Sequence, residues 1–419
     1  MNRLVLGLAL LLALSRVEGV GSIAAAQDRK KDAAPAGHPG VDSKRVDEAI
    51  RKGLDYLRKS PSPSSHKAIA NSDELILLAM VHGDVPASDP KFKELFDRMM
   101  QSKFTHTYKV ALQAMVLEEM DRVTHQGRIA QCAQALIDSQ LKHGQWNYEC
   151  SSEALLSIPT GVPISHPVQS GAKPGPKTAP ASGTKAKPPV LRQITLQRTR
   201  FGASDRGDNS NSQYAALGLR AAYDAGVIVP QEVLELARKW WETNQQGAKP
   251  GEKADVATGP KSSAPARGWD YSKAATANEK PFGSMTAGAV SAIVIYDYLL
   301  KREWKPDPVV QSGLSWLDEN FSVTTNPQKY PEFQYYYLYA LERVGMLTST
   351  VMIGSHDWYR EGANYLLGAQ TADGSWRAGG AIRGGEDAQA VWDTCFAILF
   401  LKRATRSLDV ASVDRWSKK

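Results

Sequence analysis

The chain has 419 residues, of which 42% are hydrophobic and 23% charged, a globular composition that excludes disorder throughout. Its formal net charge of +7 raises the question of nucleic-acid binding. Seven Lys and Arg residues between Leu155 and Ser204, a stretch without Asp or Glu, account for the whole excess. The rest of the chain is near neutral, so the sequence predicts no nucleic-acid partner.

Residues 1–26 have the layout of a secretory signal peptide. Arg3 precedes an apolar run from Leu4 to Leu14, and small residues including Ala24, Ala25 and Ala26 follow. The run is shorter than a membrane span of about 20 residues. We therefore expect export to the periplasm or the cell exterior without stable membrane insertion, with an uncleaved anchor as the alternative. Residues 27–40, which are polar and rich in Ala, Lys and Pro, predict a linker.

Helical periodicity then alternates between two kinds of segment. Amphipathic helices are predicted at about 42–59, 91–100, 127–141, 231–245, 308–321 and 356–369. Almost wholly apolar helices are predicted at about 72–81, 105–119, 209–225, 284–299, 331–344 and 387–403. Strand signals are nearly absent, so the predicted class is all-α.

An apolar helix needs cover on both sides, and no single hairpin supplies it. The sequence therefore predicts an α/α toroid over residues 41–406, with six helical hairpins, the apolar helices in an inner ring and the amphipathic ones outside. An open solenoid is the alternative. Two low-complexity inserts, about 155–204 and 247–267, are predicted to be flexible loops, and 407–419 a tail. The basic insert could instead make peripheral contact with an anionic membrane.

Three cysteines, Cys132, Cys150 and Cys395, do not form a disulfide framework, although a pair between the first two is left open. No Cys-x-x-Cys spacing is present, so we predict neither a zinc site nor attached haem, and no cofactor.

A glutamine–tryptophan motif recurs at the ends of the amphipathic helices. It is clearest in Gly362–Trp376, where a helix ends near Gln370 and a turn with Gly374 leads to Trp376. Partial copies lead from Gln140 to Trp146 and from Gln246 to Trp269. The motif is predicted to be structural and to tie one hairpin to the next.

These copies resemble the prenyltransferase and squalene-oxidase repeat family, which includes terpenoid cyclases and protein prenyltransferase β subunits. The resemblance covers most of residues 46–403 and implies a toroid with a central cavity that holds a hydrophobic small molecule. The family's catalytic signatures are not retained. Asp208–Gln213 lacks the cyclase acid motif, only Asp393–Thr394 keeps its end, and no histidine completes a zinc site with Asp393 and Cys395.

Polar residues at the starts of the apolar helices are the site candidates, because these starts face one mouth of a toroid. Asp208 and Asp393 are the candidate catalytic acids, and helix capping is the competing interpretation for Asp208. Asp393 lies inside an apolar helix, where a bare carboxylate is costly, so it either bonds a neighbouring helix or is tuned for proton transfer. The candidate substrate-binding residues are Asn209, Asn211, Gln213, Asp387 and Trp392.

Three hypotheses follow. The first, implied by the resemblance, is an exported terpenoid-cyclase-like or isoprenoid-handling protein. The second is a non-catalytic binding or assembly module that has kept the ring and lost the acid motif. The third is a glycan-active α/α barrel, which needs two carboxylates about 5–10 Å apart across a polar cleft.

Overall fold

The structure is a computed structural model that describes residues 38–61, 72–151, 162–170, 187–247, 264–272, 280–329, 331, 333–379 and 386–408. At 72, 162–170, 188 and 386–388 it describes the backbone alone. All of these residues fall in one compact unit, Gly37–Lys419. The predicted signal peptide, most of the linker and most of the tail lie outside the described residues and stay predictions.

The described residues form twelve helices in two layers. The outer helices are α1 (Ser43–Lys59), α3 (Pro90–Gln101), α5 (Gln126–Ser139), α7 (Gln231–Thr243), α9 (Pro308–Glu319) and α11 (Trp358–Ala369). The inner helices are α2 (Ser72–His82), α4 (Thr107–Asp121), α6 (Asn209–Asp224), α8 (Gly283–Leu299), α10 (Gln334–Leu347) and α12 (Glu386–Lys402).

The inner helices close into a ring. Each packs on the next, from α2 through α4, α6, α8 and α10 to α12, and α12 packs back on α2. Nearly every residue of α6 and α8 is buried, whereas the outer helices bury one face. The prediction of an all-α toroid with six helical hairpins is confirmed, and the open solenoid is wrong because α12 contacts α2.

Local chemistry explains where the outer helices begin. The side chains of Asp42, Asp89 and Asp307 accept backbone N–H bonds as N-caps of α1, α3 and α9. Proline follows the cap in α3 and α9, where its missing N–H costs nothing. These caps are local in sequence, so the helix starts are readable from it.

The glutamine–tryptophan motif joins each hairpin to its neighbours. The Trp376 indole donates to the Leu366 carbonyl (2.9 Å), and its backbone N–H donates to the Thr394 hydroxyl in α12 (3.0 Å). The Gln370 amide donates to the Ala49 carbonyl in α1 (2.8 Å), which links the last outer helix to the first. The same three contacts recur as Trp146–Leu136, Trp146–Ser212 and Gln140–Val233, and as Trp269–Trp241, Trp269–Thr286 and Gln245–Val309.

Gly374 shows why the motif turn needs glycine. Its φ is +89°, and a Cβ there would lie 2.5 Å from the Lys52 carbonyl oxygen of α1. A side chain would therefore meet both backbone strain and a steric clash, which supports the predicted structural role of the motif.

The strands are short or lie in the inserts: β1 (Val162–Ser170), β2 (Lys187–Thr195), β3 (Val227–Ile228), β4 (Gln246–Gly247), β5 (Arg267–Gly268), β6 (Met352–Ile353) and β7 (His356–Asp357). β1 pairs with β2 antiparallel, and β2 pairs with β3 in parallel.

The second half of the basic insert departs from the predicted flexible loop. Residues 187–204, here called the strap, run along α5, and Val190, Ile194 and Leu196 are buried there. Backbone bonds join Ile194 to Gly226 and Leu196 to Ile228, and the Gln134 amide donates to the Gln197 carbonyl (2.9 Å). Arg192 and Arg198 stand among and after these apolar residues, so charge counting alone hides a strand that packs on the ring.

An ion-paired lysine anchors the start of the strap at the carboxyl end of α4. The Lys187 ammonium lies 2.6 Å from Glu118 Oε2 and 2.5 Å from Glu119 Oε2, and its side chain is 5% exposed. The other Glu118 oxygen lies 3.8 Å from the Arg122 guanidinium. The strap therefore carries a cation that pairs with two adjacent carboxylates of the ring, and Arg122 supplies a second positive charge beside them.

The three cysteines are buried and free. Burial raises the pKa of Cys150 to about 12, so its thiol stays protonated. None of the described helices combines the length and the apolar character that a membrane crossing requires.

Candidate functional site

The candidate site is the mouth, the end of the ring at which the inner helices begin. Two loop segments that follow the motif tryptophans meet there. The Thr107 N–H donates to the Tyr148 carbonyl (3.0 Å), and the Asn209 N–H donates to the Tyr271 carbonyl (2.8 Å). These bonds join Tyr148 to α4 and Tyr271 to α6.

A tyrosine cluster lies at the mouth and is formed by Tyr108, Tyr148, Tyr214, Tyr271 and Tyr336. The Tyr148 and Tyr271 hydroxyls are 2.8 Å apart, and those of Tyr108 and Tyr336 are 3.0 Å apart. The Tyr108 and Tyr214 rings lie 4.3 Å apart between centroids. Tyr214 is fully buried and Tyr271 is 38% exposed, so the cluster runs from the ring interior to the surface.

Asp208 lies beneath this cluster as the N-cap of α6. Its Oδ1 accepts bonds from the Ser210 hydroxyl (2.6 Å) and the Asn211 N–H (2.8 Å), and its Oδ2 accepts from the Asn211 amide (2.8 Å). Burial raises the pKa of Asp208, while these donors favour its charged form. The capping interpretation is therefore correct. It leaves at the mouth a buried carboxyl that accepts several hydrogen bonds.

Asn209 is engaged by the protein itself. Its Oδ1 accepts from the Gln145 amide (3.0 Å) and the Trp240 indole (2.9 Å), and its Nδ2 donates to the Asp270 carbonyl (2.9 Å). These contacts join two motif loops and α7. Asn209 therefore holds these segments together, and its predicted role in substrate binding stays a prediction.

Asn211 and Gln213 bond different partners. Asn211 donates to Asp208, and its own Oδ1 is buried with no partner in the described part of the chain. Gln213 donates to the Tyr336 hydroxyl (2.8 Å) and accepts from the Arg343 guanidinium (2.6 Å). Gln213 therefore connects the tyrosine cluster to a buried cation.

Asp393 occupies the corresponding level of α12. Trp376 donates to Thr394 just as Trp146 donates to Ser212, so Asp393 matches Asn211 by position. Its Oδ2 accepts from the Ala378 N–H (2.7 Å). Burial raises the pKa of Asp393 to about 7, although the hydrogen bonds from Ala378 and Gln389 favour the charged form. The group is therefore protonated in a large fraction of molecules at neutral pH.

The remaining predicted residues are placed less informatively. Trp392 is buried in α12. Asp387 lies in the first turn of α12, and its side chain is outside the described part of the chain. Of the other helix-start residues, Asp73 pairs with Arg98, Thr286 accepts from Trp269, and Gln334 donates to Val323.

The sequence interpretation missed Tyr148, Tyr271 and Arg343. The first two each stand two residues after a motif tryptophan, and this repeated spacing was the available signal. Arg343 carries no such signal, because it lies inside an apolar helix and its neighbours come from distant segments. No group of at least three His, Cys, Asp or Glu side chains suited to a metal ion occurs among the residues described.

No protein-family model and no curated protein matches the chain. A solved structure from Salmonella enterica serovar Paratyphi A, described as a possible member of the GH105 family, is 8% identical with a TM-score of 0.48. It covers 88% of this chain and 96% of its own. A possible GH105 member from Klebsiella pneumoniae is 9% identical with a TM-score of 0.48, covering 93% and 98%.

These findings overturn the resemblance to the prenyltransferase and squalene-oxidase repeat family. The similar structures are possible GH105 members rather than cyclases or prenyltransferases, and no family model supports the repeat assignment. The interpretation as a terpenoid-cyclase-like or isoprenoid-handling protein, and the matching family terms, are therefore wrong. At this level of similarity the likeness does not carry any activity or residue role over to this chain.

The physical reason for the error lies in the motif. Its glutamine and tryptophan bond backbone carbonyls and inner-helix hydroxyls, so they specify how hairpins pack and leave the chemistry open. The ring centre also holds hydrogen-bonded Gln213, Tyr336 and Arg343. Arg343 Nε and Nη1 are buried with no partner in the described part of the chain, and a hydrocarbon chain would not satisfy them.

Proposed function

We propose that the protein is a glycan-active α/α toroid whose saccharide lies at the mouth, over the tyrosine cluster. The observation that carries this proposal is the pair of buried carboxyls, Asp208 on α6 and Asp393 on α12, with the hydrogen-bonded tyrosines Tyr148 and Tyr271 on the Asp208 side. In the order of the ring α6 and α12 are opposite one another. Glycoside hydrolysis needs such a pair acting from two sides of the sugar.

The two carboxyls differ in a way that suits an acid and a base. Asp393, with a pKa of about 7, supplies the proton to the glycosidic oxygen as that bond breaks. Asp208 is surrounded by three donors, which favour the carboxylate that activates a water or attacks the anomeric carbon.

The tyrosine cluster suits a sugar. Ring faces can stack on the C–H faces of a pyranose, and phenol hydroxyls can both donate to and accept from sugar hydroxyls. Tyr271 is 38% exposed, so part of the cluster is open to a ligand from solution.

The test uses the full chain and five tetrasaccharides: cello-, xylo-, manno-, chito- and galacturono-tetraose. We expect at least one to be cleaved, with products followed by mass spectrometry and by new reducing ends. Asp393→Asn should lower the rate by about 100-fold or more, because general acid catalysis contributes that much. The rate should also fall as the pH rises above about 7, where Asp393 loses its proton.

Asp97→Asn, which removes a carboxyl on α3 whose side chain is 49% exposed, is the matched control and should leave the rate unchanged. Cleavage that Asp393→Asn does not slow would remove Asp393 from the mechanism. If all five sugars neither bind nor react, the proposal is wrong.

A non-catalytic binding module is the second candidate, and one observation favours it. The Asp208 carboxyl is bonded by Ser210 and Asn211, and the tyrosine hydroxyls of the cluster bond one another in pairs. A tetrasaccharide that raises the melting temperature and is recovered intact after prolonged incubation would support this candidate over the catalytic one.

A further inference from the structure

A chain of hydrogen bonds runs from a buried arginine to the mouth. Arg343 of α10 is 1% exposed, and its Nη2 donates to Gln213 Oε1 at 2.6 Å. A guanidinium has donors and no acceptor. The atom of Gln213 that faces Arg343 must therefore be the amide oxygen.

This contact settles the orientation of the Gln213 amide. With the oxygen turned to Arg343, the NH₂ group faces Tyr336 and donates to its hydroxyl oxygen at 2.8 Å. Gly288 of α8 leaves the space for the amide, because a Cβ there would lie 2.4 Å from Gln213 Oε1. Arg343 thus fixes the direction in which Gln213 donates its hydrogen bond, and packing against Gly288 keeps the amide in place.

The next hydrogen bond toward the mouth is the one between Tyr336 and Tyr108. The Tyr336 oxygen accepts from Gln213, and the Tyr108 oxygen is its other hydrogen-bond neighbour in the described part of the chain, at 3.0 Å. Donation to Tyr108 gives the Tyr336 hydroxyl one bond as acceptor and one as donor, whereas the reverse direction would leave the Tyr336 proton without an acceptor in the described part of the chain. Tyr108 then accepts, and its own proton has no acceptor among the described residues.

We propose that Tyr108 is a specificity-determining residue of the mouth, which the Arg343–Gln213–Tyr336 chain holds as a hydrogen-bond donor toward a ligand oxygen. This inference rests on the proposed function for the class of ligand, a saccharide, whose hydroxyl or ring oxygen accepts the bond. Burial raises the pKa of Tyr108 well above its ordinary value, so its hydroxyl stays protonated and able to donate.

The first test locates the protons directly. Neutron diffraction from crystals of the full chain exchanged into deuterium oxide, without saccharide, shows hydroxyl deuterons. We expect the Tyr336 deuteron on the line to the Tyr108 oxygen and the Tyr108 deuteron directed into the mouth. A Tyr108 deuteron on the line to Tyr336 would overturn the inference, whatever the protein binds.

The second test reverses the direction of the hydrogen bonds between Gln213, Tyr336 and Tyr108. In Gln213→Glu the carboxylate accepts from both Arg343 and Tyr336, so the Tyr336 oxygen becomes free to accept from Tyr108. Tyr108 then presents a lone pair instead of a proton. The probe is whichever of the five tetrasaccharides binds the native protein most tightly, measured by calorimetry.

Tyr108→Phe should weaken its binding by about threefold to tenfold, the worth of one hydrogen bond. In the Gln213→Glu background the same change should have almost no further effect, because the donor is already lost. An equal loss in both backgrounds would contradict the inference. Tyr296→Phe, which removes a buried phenol in the last turn of α8, at the helix end away from the mouth, should leave affinity unchanged.

The two proposals fail separately. If no tetrasaccharide binds, the proposed function is wrong, and the deuteron positions still decide how Tyr108 is held.

Discussion

Buried carboxyl groups make the stability of this protein depend on pH. Glu342 of α10 is fully buried, and its two oxygens accept bonds from the Thr405 N–H (2.9 Å) and hydroxyl (2.7 Å). Burial raises the pKa of Glu342 to about 7 from an ordinary value of 4.5, although Thr405, Arg343 and Arg403 oppose the shift.

The sign of the effect on stability follows from this shift. A folded-state pKa above the unfolded one means that the folded protein holds the proton more tightly. The stabilisation is complete below about pH 4.5 and is lost as the pH rises through about 7. Between pH 4.5 and 8 the loss due to Glu342 should be about 3 kcal/mol.

Glu342→Gln should therefore flatten the fall in stability between pH 4.5 and 8. Chemical denaturation at each pH, compared with the native chain, measures the difference in slope. Glu303→Gln, at an exposed position, should leave the slope as it is. If Glu342→Gln and the native chain lose the same free energy over this range, Glu342 is not held protonated.

Residue identity alone could have suggested Asp208 and Asp393 but not their states. Asp208 precedes an apolar helix with Ser and Asn, so capping is visible in the sequence. The pKa of Asp393 depends on burial by elements far along the chain, and the Tyr108–Tyr336 contact joins residues 228 positions apart. No local pattern announces such contacts.

At the scale of elements, the strap ties an insert to the ring. Lys187 binds Glu118 and Glu119, and the Arg198 guanidinium bonds Gln140 (2.6 Å) at the opposite end of α5. The Thr199 N–H also donates to Asp138 (2.8 Å). The strap therefore spans α5 and contributes stability that a flexible loop would not.

Lys187→Met should destabilise the protein by about 3–5 kcal/mol, the cost of leaving buried carboxylates without their cation. The midpoint of urea unfolding measures this. Restoring neutrality with Glu119→Gln in the same chain, which leaves Glu118 paired with Arg122, should recover part of the loss. Leu191→Ala, on the same strand at a 52% exposed position, should change stability by less than about 0.5 kcal/mol. A Lys187→Met variant as stable as the native chain would mean that the ion pair contributes nothing.

The helices were predictable and the strap was not, for one physical reason. Helical periodicity is local, so α1 to α12 could be placed within a few residues of their observed ends. The strap depends on parallel pairing with Val227 and Ile228 and on acids of α4, which lie far away in sequence. Its basic residues made it look solvated.

On the scale of the whole molecule, closure of the ring rests on contacts between its two ends. Gln370 after α11 bonds Ala49 of α1, and the Asn364 amide donates to the Gly40 carbonyl (3.2 Å). Lys402 at the end of α12 binds Asp84 after α2 (3.1 Å). The last hairpin thus packs on the first as any hairpin packs on the next.

Gln370→Met should cost about 1–2 kcal/mol, since it leaves the Ala49 and Gly374 carbonyls without their donor. Thermal unfolding followed by circular dichroism measures the change. Gln101→Met, at an exposed position at the end of α3, is the matched control and should be neutral. Equal melting temperatures for all three proteins would show that the amide does not help to close the ring.

The ring itself could be predicted from the sequence, whereas its chemistry could not. Three copies of the motif and six alternating helix pairs specify closure, and the structure has it. The same motif suggested an isoprenoid ligand, which was wrong because Gln140, Gln245 and Gln370 bond carbonyls of neighbouring outer helices and leave the mouth untouched.

The bond from Gln370 to Ala49 means that α1 and α11 are neighbours in space although they stand at opposite ends of the chain. The packing of the hairpins therefore does not depend on which of them comes first in the chain. A circular permutant that joins the old ends through a short linker and opens between two other hairpins would encode the same toroid.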